Sequence, residues 1–169
     1  ANLGDQLHQA IEANQINQIQ SILSSPQWKK EMNSHTIYDA YSAALELKRS
    51  DIVRILQNDP RIAKIVFEVL VDEPASSFIN AAIISLLSET SLLDQLDFRF
   101  VKNAFTSFAR KGQVEVVRFW MSQPHFVSKL DDNAKLNALT SAIENHHAAI
   151  VQLYTNRAKQ FLLPEQALE

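Results

Sequence analysis

Residues 50–56 read SDIVRIL, residues 112–120 read GQVEVVRFW, and residues 148–154 read AAIVQLY. A phrase that returns along one chain constrains the fold strongly, because each copy must solve the same packing problem. The apolar residues of the first copy are Ile52, Val53, Ile55 and Leu56. Val116, Val117, Phe119 and Trp120 match them, and so do Ile150, Val151, Leu153 and Tyr154. At about 100° per residue, four such positions sweep roughly 160° of a helix surface. A stripe that wide predicts a helix held between two neighbours rather than laid against one.

A companion helix precedes each copy. DQLHQAIEAN (5–14), DAYSAALELK (39–48), NAFTSFARKG (103–112) and NALTSAIENH (137–146) share an opening Asp or Asn. Such a residue is expected to cap the helix by accepting from its free first-turn amides. Leu7, Tyr41, Phe105 and Leu139 hold the third position of these stretches, and Ile11, Leu45, Ala109 and Ile143 the seventh, which makes one apolar stripe. Pro26, Pro60 and Pro124 close the second helices, and Thr90 stands in the same place. Two and six residues beyond each lies an apolar pair: Trp28 and Met32, Ile62 and Val66, Leu92 and Leu96, Phe126 and Leu130.

The units then open near Asp5, Asp39, Glu73, Asn103 and Asn137, spaced 34, 34, 30 and 34. The punctuation residues give 34, 30 and 34, so two rulers agree. The third unit is shorter by four residues, about one helical turn. Its reading is either a tightened turn between two helices or one bent helix over Pro74 to Ser88. Residues 1–169 are expected to form a single array without linker or second domain. Gln18 and Ser21 in unit 1 stand where later units are apolar, as a terminal repeat with a polar outer face requires. Phe161, Leu162 and Leu163 in the segment 158–169 are expected to close the other end as a cap. Ala1 in place of Met suggests a start trimmed or cut from something longer, and Leu168 and Glu169 an appended pair.

Composition narrows the chemistry. Two glycines, Gly4 and Gly112, are too few for a phosphate-binding loop, where backbone must approach the ligand closely. The chain has no cysteine, which removes thiol catalysis, disulfides and thiolate metal sites, and suits a reducing cytoplasmic setting. No apolar run approaches the roughly 18 residues of a membrane span. Net charge is −3, so there is no global basic field for nucleic acid. Apolar residues at 46% nevertheless supply a substantial core.

Helix is therefore the default, and the fold class expected is all-α: an α-solenoid of about five helix-turn-helix repeats. No G-x-S-x-G elbow activates a serine. His146 and His147 diverge by about 100° on a helix, so they cannot share one ion. Glu144 and His147 have an E-x-x-H spacing, but a carboxylate-bridged metal pair needs a second copy, which the chain lacks. His8, His35 and His125 are read as surface or capping residues, and Trp28 and Trp120 as core. No catalytic residue, cofactor or metal is expected. Charge is uneven: acids dominate between Lys64 and Arg99, whereas Arg99, Lys102, Arg110, Lys111 and Arg118 outweigh Glu115 beyond it.

At FARKGQVEVVRFW the chain resembles the ankyrin repeat. Gly112, Glu115, Val116, Val117 and Trp120 fall on that family's glycine, acidic, paired-aliphatic and leucine positions. Glu73 and Pro74 fall on its Thr-Pro, His8 on its first histidine, and His147 on the histidine after the glycine. Asn14, Lys48 and His146 replace the glycine that ends a helix in a left-handed turn. Stretches such as PQWKKEMNSHTIY (26–38) look helical where the family has a β-hairpin, so the hairpins are expected to be reduced or absent, with a short third helix instead. Tetratricopeptide repeats share the period but not the recurrent Gly and Tyr, and rank second.

The resemblance implies a protein–protein interaction scaffold that recognises a partner protein on its concave or loop face, through the residues before the helix-ending glycine. The residues so assigned are Glu46, Lys48, Arg49, Arg110, Lys111 and Glu144. The expected state is a monomer, and net charge and the length of the apolar runs set the expectation of no nucleic acid and no membrane insertion. The alternative is a non-catalytic positioning domain of a larger enzyme. Ankyrin-like proteins of intracellular bacteria look similar, which extends the expectation to an effector delivered into a host cell.

Overall fold

The computed structural model describes residues 2–157, and every regular element in them is helical. The elements are α1 (Leu3–Glu12), α2 (Ile16–Ser24), α3 (Pro26–Glu31), α4 (Ser34–Glu46), α5 (Ser50–Gln57), α6 (Pro60–Asp72) and α7 (Ser77–Glu89). A 3₁₀ turn over Leu92–Gln95 leads to α8 (Phe98–Arg110), α9 (Val114–Met121), α10 (Pro124–Val127), α11 (Asp132–Glu144) and α12 (Ala148–Asn156). The all-α expectation holds, and no strand occurs among the described residues. The expected cap residues Phe161, Leu162 and Leu163 lie outside them.

The chain divides into two compact bodies, the break falling within α6 between Val69 and Leu70. In the N-terminal body α4 packs on α1, and α2, α3 and α5 pack beside their sequence neighbours. In the C-terminal body α11 packs along α8, α9 sits against α7, α8 and α12, and α10 folds back on α9.

The helices begin earlier than the recurring Asp and Asn suggest. Asp5 lies in the first turn of α1, and Asp39, Asn103 and Asn137 lie inside α4, α8 and α11. The caps are instead Asn2, Asn33, Asp97 and Asp131, whose side-chain oxygens accept from the amides of Asp5, Thr36, Arg99 and Ala134 at 2.7–2.9 Å. The apolar stripe identifies a helix but leaves its first turn free, because that turn is held by a cap and not by packing.

The prolines do close the second helices, and each also starts the next: Pro26, Pro60 and Pro124 are the first residues of α3, α6 and α10. An N-terminal turn has no use for the missing N–H, so proline costs nothing there. Thr90 does the corresponding work after α7. Its hydroxyl donates to the Leu86 carbonyl at 2.7 Å and accepts from the Leu92 amide at 3.2 Å.

The short third unit takes the second expected form, a single helix, but that helix starts three residues later than Pro74. The proline-started helix continues through residue 72 as α6, Glu73 lies in the break, and α7 is one helix beginning at Ser77 under a Ser76 cap. No helix opens at Glu73.

The second-helix stripes are buried as their width requires. Ile52, Val53 and Leu56, Val116, Val117 and Trp120, and Ile150, Leu153 and Tyr154 are core, while Ile55, Phe119 and Val151 are half-buried. Gln18 and Ser21 on α2 are exposed, in keeping with a polar end face. Both tryptophans are core residues. Trp120 is ringed by Phe105, Phe108 and Phe126 at centroid distances of 5.4, 6.3 and 5.4 Å, and its indole donates to the Phe126 carbonyl at 2.9 Å. Trp28 is equally buried, but its indole N–H has no hydrogen-bond partner among the described residues.

Candidate functional site

The residues assigned to recognition sit on three of four turns that share one design. Asn14, Lys48, Gly112 and His146 have φ of 56°, 56°, 74° and 61°. In each turn the next residue's amide closes on the carbonyl five back: Gln15 on Ala10, Arg49 on Ala44, Gln113 on Phe108 and His147 on Ala142, all at 2.9 Å. The left-handed residue itself donates to the carbonyl three back, at 3.1–3.3 Å. This paired closure satisfies the helix's last carbonyls and turns the chain sharply into the following helix. Only Gly112 adopts the geometry without a Cβ penalty; Asn14 tolerates it, and Lys48 and His146 are strained by it.

The backbone is the same at each turn and the exposed side chains differ. Glu46, Leu47 and Lys48 stand on one tip, Glu144, Asn145 and His146 on another, all exposed. Arg110 is exposed on its tip, with its guanidinium 3.2 Å from the Ser107 hydroxyl. In the N-terminal body the turns after α1 and α4 are neighbours, and in the C-terminal body so are those after α8 and α11. Two assigned residues serve differently from expectation. Arg49 is half-buried and donates to the Glu12 carbonyl, the end of α1, at 3.0 Å.

Lys111 is the larger correction. Its ammonium docks on the carbonyls of Val71 and Glu73 at 2.6 and 2.7 Å, closing the end of α6. Burial holds its pKa below the ordinary lysine value, with Arg110 beside it acting in the same direction and Asp72 and Glu73 opposing. It stitches the fold and is not a free cation on the surface. The sequence pattern placed Lys111 beside Arg110 correctly, but could not distinguish a side chain reaching solvent from one reaching back.

His147, which falls on the family's histidine after the glycine, has a structural role of its own. Its Nε2 lies 2.7 Å from the Arg110 carbonyl oxygen, the end of α8. A carbonyl only accepts, so Nε2 carries the proton. Arg49 and Glu12 have the same relation, also 37 residues apart. Each body therefore ties one turn to the end of the preceding long helix. That spacing, one period plus three, was the signal available in the sequence.

Two further polar clusters were not anticipated. Gln113 is fully buried and donates to the Asn80 side-chain oxygen at 2.8 Å, while Asn80 donates to Glu115 at 2.9 Å. On the surface, Asp94 accepts from His125 at 2.7 Å and from Lys129 at 3.2 Å, and these partners hold its carboxyl below the usual range, His125 first. His8 and His35 pair with Glu12 and Asp39 one turn along their helices at 2.6 and 3.2 Å.

Among the described residues no group of three or more His, Asp or Glu converges as a metal site, and no helix is long and apolar enough to cross a membrane. No protein-family model matches the chain, and neither a curated protein nor a solved structure matches it.

Proposed function

We propose that the chain is an ankyrin-like α-solenoid of about five helix pairs that serves as a protein–protein interaction module, recognising its partner through the turn tips. The observation that carries this reading is the fourfold recurrence of one left-handed turn, with the backbone constant and the exposed side chains changed at each copy. A recurring backbone turn that presents different side chains at each copy offers a row of adjustable contacts at low ordering cost. Glu46, Lys48, Arg110 and Glu144 are the recognition residues in this reading. Arg49 and Lys111 support the tips from behind.

The test is site-specific photo-crosslinking. A photoreactive phenylalanine at Asn145 should give a discrete adduct in cell lysate, and the same probe at exposed Gln152 on α12 should not. With the partner identified, Arg110→Glu and Glu144→Lys should each weaken binding roughly tenfold while the melting temperature stays unchanged. Equal adducts at the two positions, or affinity indifferent to both reversals, overturns the tip as the recognition surface.

A further inference from the structure

On two long helices that another long helix covers, the residue three before the left-handed turn is fully buried, whereas Leu45 at that place on α4 is half-buried. On α1, which α4 covers, that residue is Ile11, fully buried; on α8, which α11 covers, it is Ala109, also fully buried. On α11 it is Ile143, and Ile143 is 54% exposed. Seven residues earlier Leu136 is 41% exposed, with exposed Thr140 between them. Residues spaced 136, 140, 143 lie on one stripe of a helix.

The rim of this stripe has one sign. Asp132 and Glu144 are exposed along it with neutral Asn133 and Asn137, whereas the only base of α11, Lys135, is buried. The first long helix looks different: the exposed positions of α1 include Asp5, Gln9 and Glu12, a polar surface that needs no cover. The face of α11 continues the packing of α8 on α11 with nothing packed against it among the described residues.

We propose that this outer face of α11 docks an amphipathic helix of a partner protein, one with an i, i+4, i+7 apolar stripe and basic flanks, in the way α11 docks on α8. The inference rests on the interaction-module reading and adds a second surface with its own partner chemistry. Apolar side chains spaced like Leu136 and Ile143 supply the contact, and lysines or arginines on either side meet the acidic rim.

The experiment uses the isotope-labelled full chain and a synthetic helix about four turns long, built of leucine, alanine and lysine with leucine at i, i+4 and i+7. Its twin carries glutamate for lysine. The lysine peptide should shift the amides of residues 132–144, bind at least roughly tenfold tighter than its twin, and lose roughly tenfold in affinity on Leu136→Asp or Ile143→Asp. Both positions are exposed, so an unchanged melting temperature certifies the fold.

Absent binding, shifts centred elsewhere, or equal affinity for the twin overturns the proposal. So does a wild-type dimer in sedimentation that Leu136→Asp dissolves, which would give the face to a second copy. Peptide affinity raised tenfold by Phe161→Asp with Leu163→Asp would give it to residues 158–169. The crosslink at Asn145 is read in a separate experiment, so failure of this surface is distinct from failure of the tips.

Discussion

His147 holds the carbonyl of Arg110 through Nε2 at 2.7 Å, and the same imidazole fills the space over Gly112. A Cβ built on Gly112 would lie 2.5 Å from His147 Nδ1 and 2.6 Å from Cε1. Two needs meet at this glycine: a left-handed backbone at φ 74°, and room for the ring that caps the preceding helix. The other three left-handed turns meet only the first, which explains why they accept Asn, Lys and His.

Gly112→Ala is therefore expected to destabilise the protein by about 3 kcal/mol, the sum of a left-handed penalty and overpacking. Lys48→Gly and His146→Gly should stabilise it by about 1 kcal/mol each by relieving the same penalty. Urea denaturation monitored by circular dichroism measures all three. Equal, small effects at 48, 112 and 146 would refute the packing half of the argument.

The ring and the glycine should be coupled. His147→Ala alone is expected to cost about 1 kcal/mol through the lost hydrogen bond to the helix end. In that background Gly112→Ala should lose its overpacking component and cost at least about 1 kcal/mol less than in the wild type. A double-mutant cycle that sums without residue would separate the two sites.

Lys111 and Arg110 are adjacent cations with different work. Lys111→Ala removes a donor from two carbonyls at the end of α6 and should cost about 1 kcal/mol, reduced from the fully buried figure because the side chain is partly solvated. Arg110→Ala should stay within about 0.5 kcal/mol, as exposed substitutions do. The comparison is made on matched thermal melts, and an inverted order would count against the capping role.

The two tryptophans offer a matched pair. Trp120→Phe loses both ring volume and the hydrogen bond to Phe126, whereas Trp28→Phe loses volume and removes a buried donor that has no partner among the described residues. Trp120→Phe should be the costlier by about 1 kcal/mol or more. Chemical denaturation of the two variants checks the difference.

Asp94 supplies a pH dependence whose sign is fixed. Its folded pKa lies below the ordinary 3.8, so the ionised carboxyl favours the folded state above that value, and the contribution is lost as pH falls from 3.8 through the folded value. Asp94→Asn should lower the melting temperature slightly at neutral pH, and the gap to wild type should close on acidification below 3.8. A gap that persisted unchanged in acid would mean that the tether between Asp94, His125 and Lys129 does not act through charge.

Much of the architecture was legible in the chain itself. The period, the helical class and the buried stripes around Ile52, Val116 and Ile150 follow from spacing and residue type, because apolar periodicity is a property of a short stretch. The left-handed positions at Asn14, Lys48 and His146 were implied only by the resemblance, since Lys and His do not favour that conformation. Helix starts were less legible: Asp39 and Asn103 recur at the right interval but sit inside their helices, and the true caps Asn33 and Asp97 carry no apolar signal. In the third unit the single helix is legible but its start is not: α6 runs to Asp72 and α7 begins at Ser77, not at Glu73 or Pro74, because Ser76 and not the proline supplies the cap.

The tips show the division most clearly. Sequence determined that residues 46–49, 110–113 and 144–147 occupy corresponding points between two apolar helix stripes, and the resemblance implied a helix-ending turn at each. Tertiary structure alone decided that Lys111, Arg49 and His147 turn inward to carbonyls while Glu46, Lys48 and Glu144 face water. A long polar side chain reaches in several directions from one backbone position, and which partner it meets is set by residues about 37 positions away in the chain.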